Sequence, residues 1–528
     1  MKKALTFTIA VLTSVACLRG QVIFSGDFEQ GALGEVEMLD SMRFVVTPGD
    51  TVECLSYAVR GHFDPLNPVD TSLAPSANWY DFRMTGVKDK QIFLTFPDNG
   101  VHRTSYSYDG EQWNHMEAYE SDWGRVGKRF TRDTVYIALF VPYTWSRHIA
   151  RMAEWEKRED VEIDTIGFSF EGRPLQVLHI TDKSVPASGK KLVWMHGRIH
   201  PSETPGSWLM DGLVEKLTSD DPDSREMRRR IDFYIMPFAN PDGVANGLSR
   251  SNITGVNQEI NYARSEDSTV VEVKAIKAMF EKLTAERPFD IMLNNHSQLA
   301  DFATFWMHRA EGTTMSYQGR LWTFAGLSCS FNPFLKQTDM SFSDMADRYA
   351  EGWCWNHLGE RTVALTLETP YNCFSNNVDG EWASPENLGL FGERVLQAVA
   401  EFLEVSTPDR IIVETPATMP KGWELLDDSR SHMGDTGWRA LKKDASVTYV
   451  LKSLPAGEYT VYRYVPGLNI HPAAGSFFRE GDEDPGTHGW VEAGTHVQQR
   501  TGEYRYIYRS TSEGDTADAL LLVRKLSD

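Results

Sequence analysis

The chain has 528 residues, too many for one ordinary domain, and its 41% hydrophobic and 12% aromatic content is ample for several packed cores. A formal net charge of −21 argues against nucleic acid as a partner, because that affinity comes from Lys and Arg neutralising phosphates. Beyond the first residues no apolar run is long enough for a membrane helix.

Lys2 and Lys3 precede an apolar run from Ala4 to Ala16, which is too short to span a bilayer and has the form of a secretory signal over residues 1–20. Two cleavage points present themselves. One, before Cys17 in Ser14-Val15-Ala16-Cys17, is similar to a lipobox and implies a lipid anchor at Cys17; the other, before Gln21, releases a soluble protein. Export is expected either way, to a periplasmic, outer-membrane lipoprotein or extracellular location. Cys54, Cys329, Cys354 and Cys373 contain no Cys-x-x-Cys spacing, so a cysteine metal site is not expected, and export permits disulfides without fixing their pairing.

Residues 21–150 are expected to form a β-sandwich-like domain. Residues 78–87, 90–97 and 134–141 are strand-like runs separated by Asp, Gly, Pro and Asn clusters. No titratable cluster stands out here, which leaves packing or substrate positioning as the role. Over residues 151–406 the pattern changes to strands alternating with helices. Strands are expected at 175–180, 191–195, 231–236, 289–293 and 362–367, and helices at 205–218, 269–283 and 384–404. Near-continuous apolar strands separated by amphipathic helices predict an α/β fold: a mostly parallel mixed sheet covered by helices. Residues 407–528 return to β, with strands at 447–451 and 459–465 around Pro455-Ala456-Gly457. Tyr504, Tyr506 and Tyr508 alternate and so share one face, available either for stacking on sugars or for sheet packing.

In covered sheets of this kind ligands bind beyond the carboxyl ends of the strands, and His200, Asn240, His296 and Glu368 all follow strand runs. His200 and Glu203 lie three apart at such an exit. Pro201 pushes His200 into extended backbone, while Thr204 reads as a helix cap before Pro205. A histidine and a glutamate so placed can close on one zinc ion, which takes nitrogen and oxygen donors and needs three from the protein in a catalytic site. Taken alone, the four residues fit equally a histidine at a strand end beside a glutamate on a first helical turn.

The run Met195 to Trp208 resembles the zinc-binding segment of the M14 metallocarboxypeptidases, especially the cytosolic carboxypeptidase subfamily. So does Asn240-Pro241-Asp242-Gly243-Val244, followed by Asn246-Gly247 and Arg250. Trp79 to Arg83, Arg125-Val126-Gly127 and Val141 to Thr144 are similar to words of that subfamily's amino-terminal β-domain, so the likeness spans about residues 25 to 405. The resemblance implies one zinc per chain held by His200, Glu203 and His296, with Glu368 as general base and Arg250 stabilising the oxyanion. It implies hydrolysis of an amide bond near a peptide C-terminus by a zinc-activated water. His196, nearer the pair in sequence, is expected to point elsewhere and to be structural or supporting.

One departure from the family pattern stands out. Where the family has Asp-x-Asn-Arg, this chain has Glu259-Ile260-Asn261-Tyr262. Glu259 is expected to replace the aspartate that orients a ligand histidine, and Asn261 is kept. Tyr262 stands where an arginine would grip the substrate's terminal carboxylate, and a phenol cannot make that bidentate charged pair. Either Arg264 or Arg198 takes over, or the substrate lacks a free α-carboxylate there. The carboxyl-terminal region also resembles golvesin-type carbohydrate-binding-like modules in Leu454 to Val461 and Ala517-Asp518-Ala519, which implies a glycan partner. The leading expectation is an exported zinc metallocarboxypeptidase acting on peptides or muropeptides. The alternatives are a zinc amidase or deacylase on a non-peptide substrate and an inactive surface binding protein.

Overall fold

A computed structural model describes residues 22–526, apart from 48–49, 69–73, 378–379, 429, 435, 471–474, 477–485 and 487. The expected signal segment and Cys17 lie outside the described residues.

The chain opens with two five-stranded sheets. One contains Asp81–Thr85 and Thr134–Ala138, the other Asp50–Val59 and Gln91–Thr95. Phe82, Met84, Val135 and Ile137 of the first sheet share a core with Leu55, Tyr57, Ile92 and Leu94 of the second. Alternation of buried and exposed positions along these short strands is what places one face of each sheet inward.

The centre of the protein is an eight-stranded sheet. Its strands are β1 (Val161–Phe168), β2 (Pro174–Ile180), β3 (Lys191–Gly197), β4 (Ile231–Met236), β5 (Ile291–Gln298), β6 (Thr304–His308), β7 (Ser341–Ser343) and β8 (Val363–Pro370), in the order β1-β2-β4-β3-β5-β8-β6-β7. The interior run β4-β3-β5-β8 is parallel, and β1, β2 and β6 join antiparallel. Helices α1 (Thr204–Leu217), α2 (Val271–Thr284), α3 (Met315–Cys329), α4 (Ala350–Leu358) and α5 (Pro385–Phe402) cover it. β3 and β5 are buried on both faces, as a covered parallel sheet requires.

Every strand and helix expected in this region is present, within a few residues. Ser384 caps α5 by accepting the Asn387 N–H at 3.1 Å. α1 packs on α5 through glycines: a Cβ at Gly212 would collide with the backbone of Gly389, so the close approach requires glycine there. No expected element corresponds to β1, β6, β7, α3 or α4. In α3 and α4 most positions are buried, so the one-sided stripe that marks a surface helix is absent.

The carboxyl-terminal region holds four-, three- and two-stranded sheets. The strands expected here are present, and two further points emerge. Ser446–Leu454 and Gly457–Val465 flank the Pro455 turn but do not pair with each other: the first pairs with Gly502–Arg509, the second with Gly489–Gln498 and Leu520–Arg524. The tyrosine face turns inward, with Tyr504 and Tyr508 buried beside Val447 and Tyr449, so it serves sheet packing. None of the four described cysteines is in a disulfide.

Candidate metal centre

His200, Glu203 and His296 offer ligand atoms that all lie within 4.8 Å of one another, and all three side chains are buried. His200 sits in the loop just beyond β3, and Glu203 is the residue before α1. The helix therefore starts one residue earlier than expected: Glu203, not Thr204, occupies the cap position. Its carboxylate makes no capping bond, because it is drawn to the two imidazoles instead. The buried start of α1 is served from β5, where Ser297 Oγ accepts the Gly206 N–H at 3.0 Å. His296 arrives from the far end of β5, directly in register with Glu368 of the neighbouring β8.

The geometry calls for a cation. Nδ1 of His200 and Nδ1 of His296 face each other at 3.1 Å, and Glu203 stands 2.8 Å from the first and 2.9 Å from the second. Two ring nitrogens at that separation repel unless a proton or a metal cation lies between them. The opposite edge of each ring is tied back: His200 Nε2 to Asn257 Oδ1 at 3.1 Å and His296 Nε2 to Glu259 Oε2 at 3.2 Å. Such ties place the proton on Nε2 and leave Nδ1 as the donor toward a metal. Asn294 Nδ2 donates to Glu259 at 3.0 Å and the Ser297 N–H donates to Glu203 at 3.1 Å, which holds both carboxylates in place. Two imidazoles and one carboxylate form the donor set of a catalytic zinc site, and these residues fit that ion.

The electrostatics agree. Burial pushes Glu203 up, but the His200 and His296 imidazoles outweigh it and hold the carboxyl well below its ordinary range. Burial disfavours charge on His296, yet Glu259 and Glu203 raise its pKa well above that of an ordinary histidine. The pocket between the two carboxylates thus favours positive charge, which a bound divalent ion supplies in place of a proton.

The centre opens into a cavity of about 440 Å³. Glu368 and Arg250 line it. Burial, together with Glu203 and Glu259, pushes the Glu368 carboxyl up to about 7 against the opposing effect of His296 and Arg250, and Oε2 has no hydrogen-bond partner. Arg250 is exposed on a short loop whose backbone is clamped: Asp64, from the first domain, accepts the N–H groups of Ser249, Arg250 and Ser251 at 2.7–2.8 Å. Asn240 is not at the centre. Its amide bonds the carbonyls of Ile199 and Ser251, bracing the His200 loop against the Arg250 loop.

The remaining expected residues fall elsewhere. Arg198 does not line the cavity. Its backbone takes φ 56°, and its buried guanidinium donates to the carbonyls of Pro201 and Tyr143 and to Ser207 Oγ. Arg264 is exposed and outside the lining, and Asn261 Oδ1 caps the chain before α2 by accepting the Val270 N–H at 2.9 Å. Tyr262 is buried against Phe280 in a second core, its hydroxyl unpartnered. Asn261, Tyr262 and Arg264 follow Glu259 but leave the cavity lining, while Arg198 is held aside by its own buried hydrogen bonds. His196 is buried, takes a bond from Trp194 Nε1 at 3.0 Å, and stays out of the donor set.

Several residues at the site escaped the sequence reading. Asn257 orients His200, two positions before Glu259; the signal was an alternation of polar residues, Asn257 and Glu259, that aims both at the same cluster. Asn78, Asn99 and Leu139 bring the first domain to the cavity wall, and Glu351 comes from α4. No local pattern marks these, since they meet the site only through the packing of distant segments.

Comparison with known proteins gives one family match. Residues 149–352 match the model of the zinc carboxypeptidase family, Peptidase M14, a stretch that takes in His200, Glu203, Arg250 and His296 and stops before Glu368. The chain is 32% identical to zebrafish (Danio rerio) cytosolic carboxypeptidase 2 over 31% of its own length and 24% of that protein's, so it spans about a quarter of that relative. It is 28% identical to an uncharacterised protein of Zymomonas mobilis, over 62% of this chain and 87% of that one. The crystal structure of a metallo-carboxypeptidase from Burkholderia cenocepacia superposes with a TM-score of 0.57 at 20% identity, covering 72% of this chain and 98% of that one. At that identity the likeness speaks for the fold.

Proposed function

The chain carries a zinc carboxypeptidase domain of the M14 family over residues 149–352, and on that premise we propose that the protein is an exported metallocarboxypeptidase that hydrolyses an amide bond near a peptide C-terminus. The observation that carries this reading is the convergence of His200, Glu203 and His296 within 4.8 Å at the wall of a cavity shared with Glu368 and Arg250. These three residues would hold the zinc. When bound, the ion supplies a Lewis acid that polarises a carbonyl and makes water more acidic.

The chain's own groups do the rest. Glu368 Oε2 takes a proton from the attacking water and returns it to the departing amine nitrogen. A carboxyl pushed up to about 7 suits both halves of that task near neutral pH. The Arg250 guanidinium, on a loop held by Asp64, donates to the carbonyl oxygen as negative charge builds there. Asn257 and Glu259 keep the imidazoles turned toward the ion. Export rests on the Ala4 to Ala16 run, and peptides or muropeptides are the proposed substrates.

A second reading, an amidase or deacylase on a substrate without a free α-carboxylate, is favoured by one fact. Arg250 is the sole Lys or Arg among the described residues lining the cavity. The two readings separate in turnover of matched peptides ending in a free acid or an amide, with and without chelator. The first expects the free-acid peptides to be cut and amidated ones spared; the second expects the reverse.

A further inference from the structure

The cavity has more negative charge than its chemistry uses. Its lining includes four carboxyl groups, Glu203, Glu259, Glu351 and Glu368, against Arg250. One divalent cation together with Arg250 balances Glu203, Glu259 and Glu368. Glu351 is left without a counter-charge, and burial together with Glu259 pushes its carboxyl up to about 7, a rise that a cation seated beside it would reverse.

Glu351 stands at the start of α4 and is 2% exposed, with no hydrogen bond to a metal ligand or to Glu368 among the described residues. Its Oε1 accepts one bond, from Thr366 Oγ1 at 2.6 Å, and among the described residues no ion pair reaches it. Thr366 lies two residues before Glu368 on β8, so both point to the same face of the sheet and into the same cavity. His308, on the adjacent strand β6, is also buried and lines the cavity, with Nε2 unpartnered and Nδ1 bonded to Ser343 Oγ at 3.3 Å. Burial lowers the His308 pKa to about 4, so the ring brings no positive charge. The basic side chains next along the chain are turned aside: Arg309 pairs with Asp344 and Glu311, and Arg348 lies over the Tyr349 ring. An acidic substrate side chain entering here would meet Glu351 with no cation to receive it. A cationic one would find a carboxylate, an imidazole nitrogen and a hydroxyl, all able to accept.

Resting on the metallopeptidase reading, we infer that the substrate residue seated in this cavity beside the scissile bond carries an ammonium or guanidinium group, received by Glu351 and His308, and that acidic residues are excluded.

The test is a panel of zinc-loaded turnover measurements on peptides that differ only in their last residue, Lys, Arg, Gln, Leu or Glu. Parallel calorimetric titrations use the free amino acids. The wild-type protein is expected to favour Lys or Arg over Leu by about tenfold or more in kcat/KM and to discriminate most strongly against Glu. In Glu351→Gln the Lys-to-Leu ratio is expected to fall by about tenfold, and in His308→Phe to fall less. A preference for Glu or Leu in the wild-type panel, which needs no variant to fold, overturns the inference. So does a Lys-to-Leu ratio unmoved by Glu351→Gln. Should every peptide resist the zinc-loaded protein, the carboxypeptidase reading fails. Lysine binding that exceeds glutamate binding and weakens in Glu351→Gln would then still support the charge assignment, and equal binding would end it.

Discussion

Asp64 and Arg250 lie 186 residues apart, and the carboxylate of the first accepts the backbone N–H of the second at 2.8 Å. The same carboxylate takes the N–H groups of Ser249 and Ser251, so one buried side chain of the amino-terminal domain sets the whole loop that presents the arginine. Trp79 adds a further tie, donating its N–H to Ser249 Oγ at 2.9 Å. The amino-terminal sheets are therefore part of the site's framework.

Asp64→Ala leaves three amide donors without a partner. We expect kcat to fall by about tenfold or more, since a displaced oxyanion donor of this kind contributes on the order of 3 kcal/mol. Stability should fall by roughly 3 kcal/mol, from unsatisfied buried N–H groups. Steady-state kinetics, urea unfolding and zinc content check this; a variant with normal zinc and normal kcat would refute it.

Glu368→Gln preserves shape and removes the proton acceptor. A decrease in kcat of about 10²–10⁴-fold is expected, with zinc content unchanged. Full activity in this variant would show that another group serves as base.

Glu259→Gln weakens the bond that turns His296 toward the ion. Zinc affinity should drop by about 10–100-fold, read by competition with a chelating dye on the purified protein. His200 is held by the neutral Asn257, so Asn257→Ala should cost less than the Glu259 change.

Asp518 gives a pH signature remote from the centre. Burial pushes its carboxyl up to about 7, although the Met433 and Ala519 N–H groups and Thr415 oppose the rise. Below the unfolded value near 4 both states are protonated and nothing is lost. As pH rises toward 7 the unfolded chain releases the proton first, so unfolding is favoured and stability declines. The share of this residue is on the order of 4 kcal/mol at full ionisation. Urea unfolding between pH 4 and 8 should show the decline, and Asp518→Asn should flatten it.

The parts of the site that could be read along the chain are those built from local geometry. A strand, a proline-bent loop and a helix start place His200 and Glu203 side by side, and apolar β5 and β8 announce that His296 and Glu368 stand at strand ends. The periodicities of the interior strands and of α1, α2 and α5 were legible for the same reason, while α3 and α4, buried at most positions, left no one-sided stripe to read.

Short-range covalent geometry and hydrophobic periodicity thus sufficed for the interior strands of the sheet, for α1, α2 and α5, and for the pairing of His200 with Glu203, while the resemblance to a known family supplied the third donor, His296. That Asn257 orients His200, where Tyr262, Arg198 and Arg264 point, and what charge the cavity carries were decided by packing between segments that no local pattern joins. Those contacts depend on loop paths and burial, and a carboxylate such as Glu351 or Asp64 has no mark in the sequence until the fold brings it to the groups it meets.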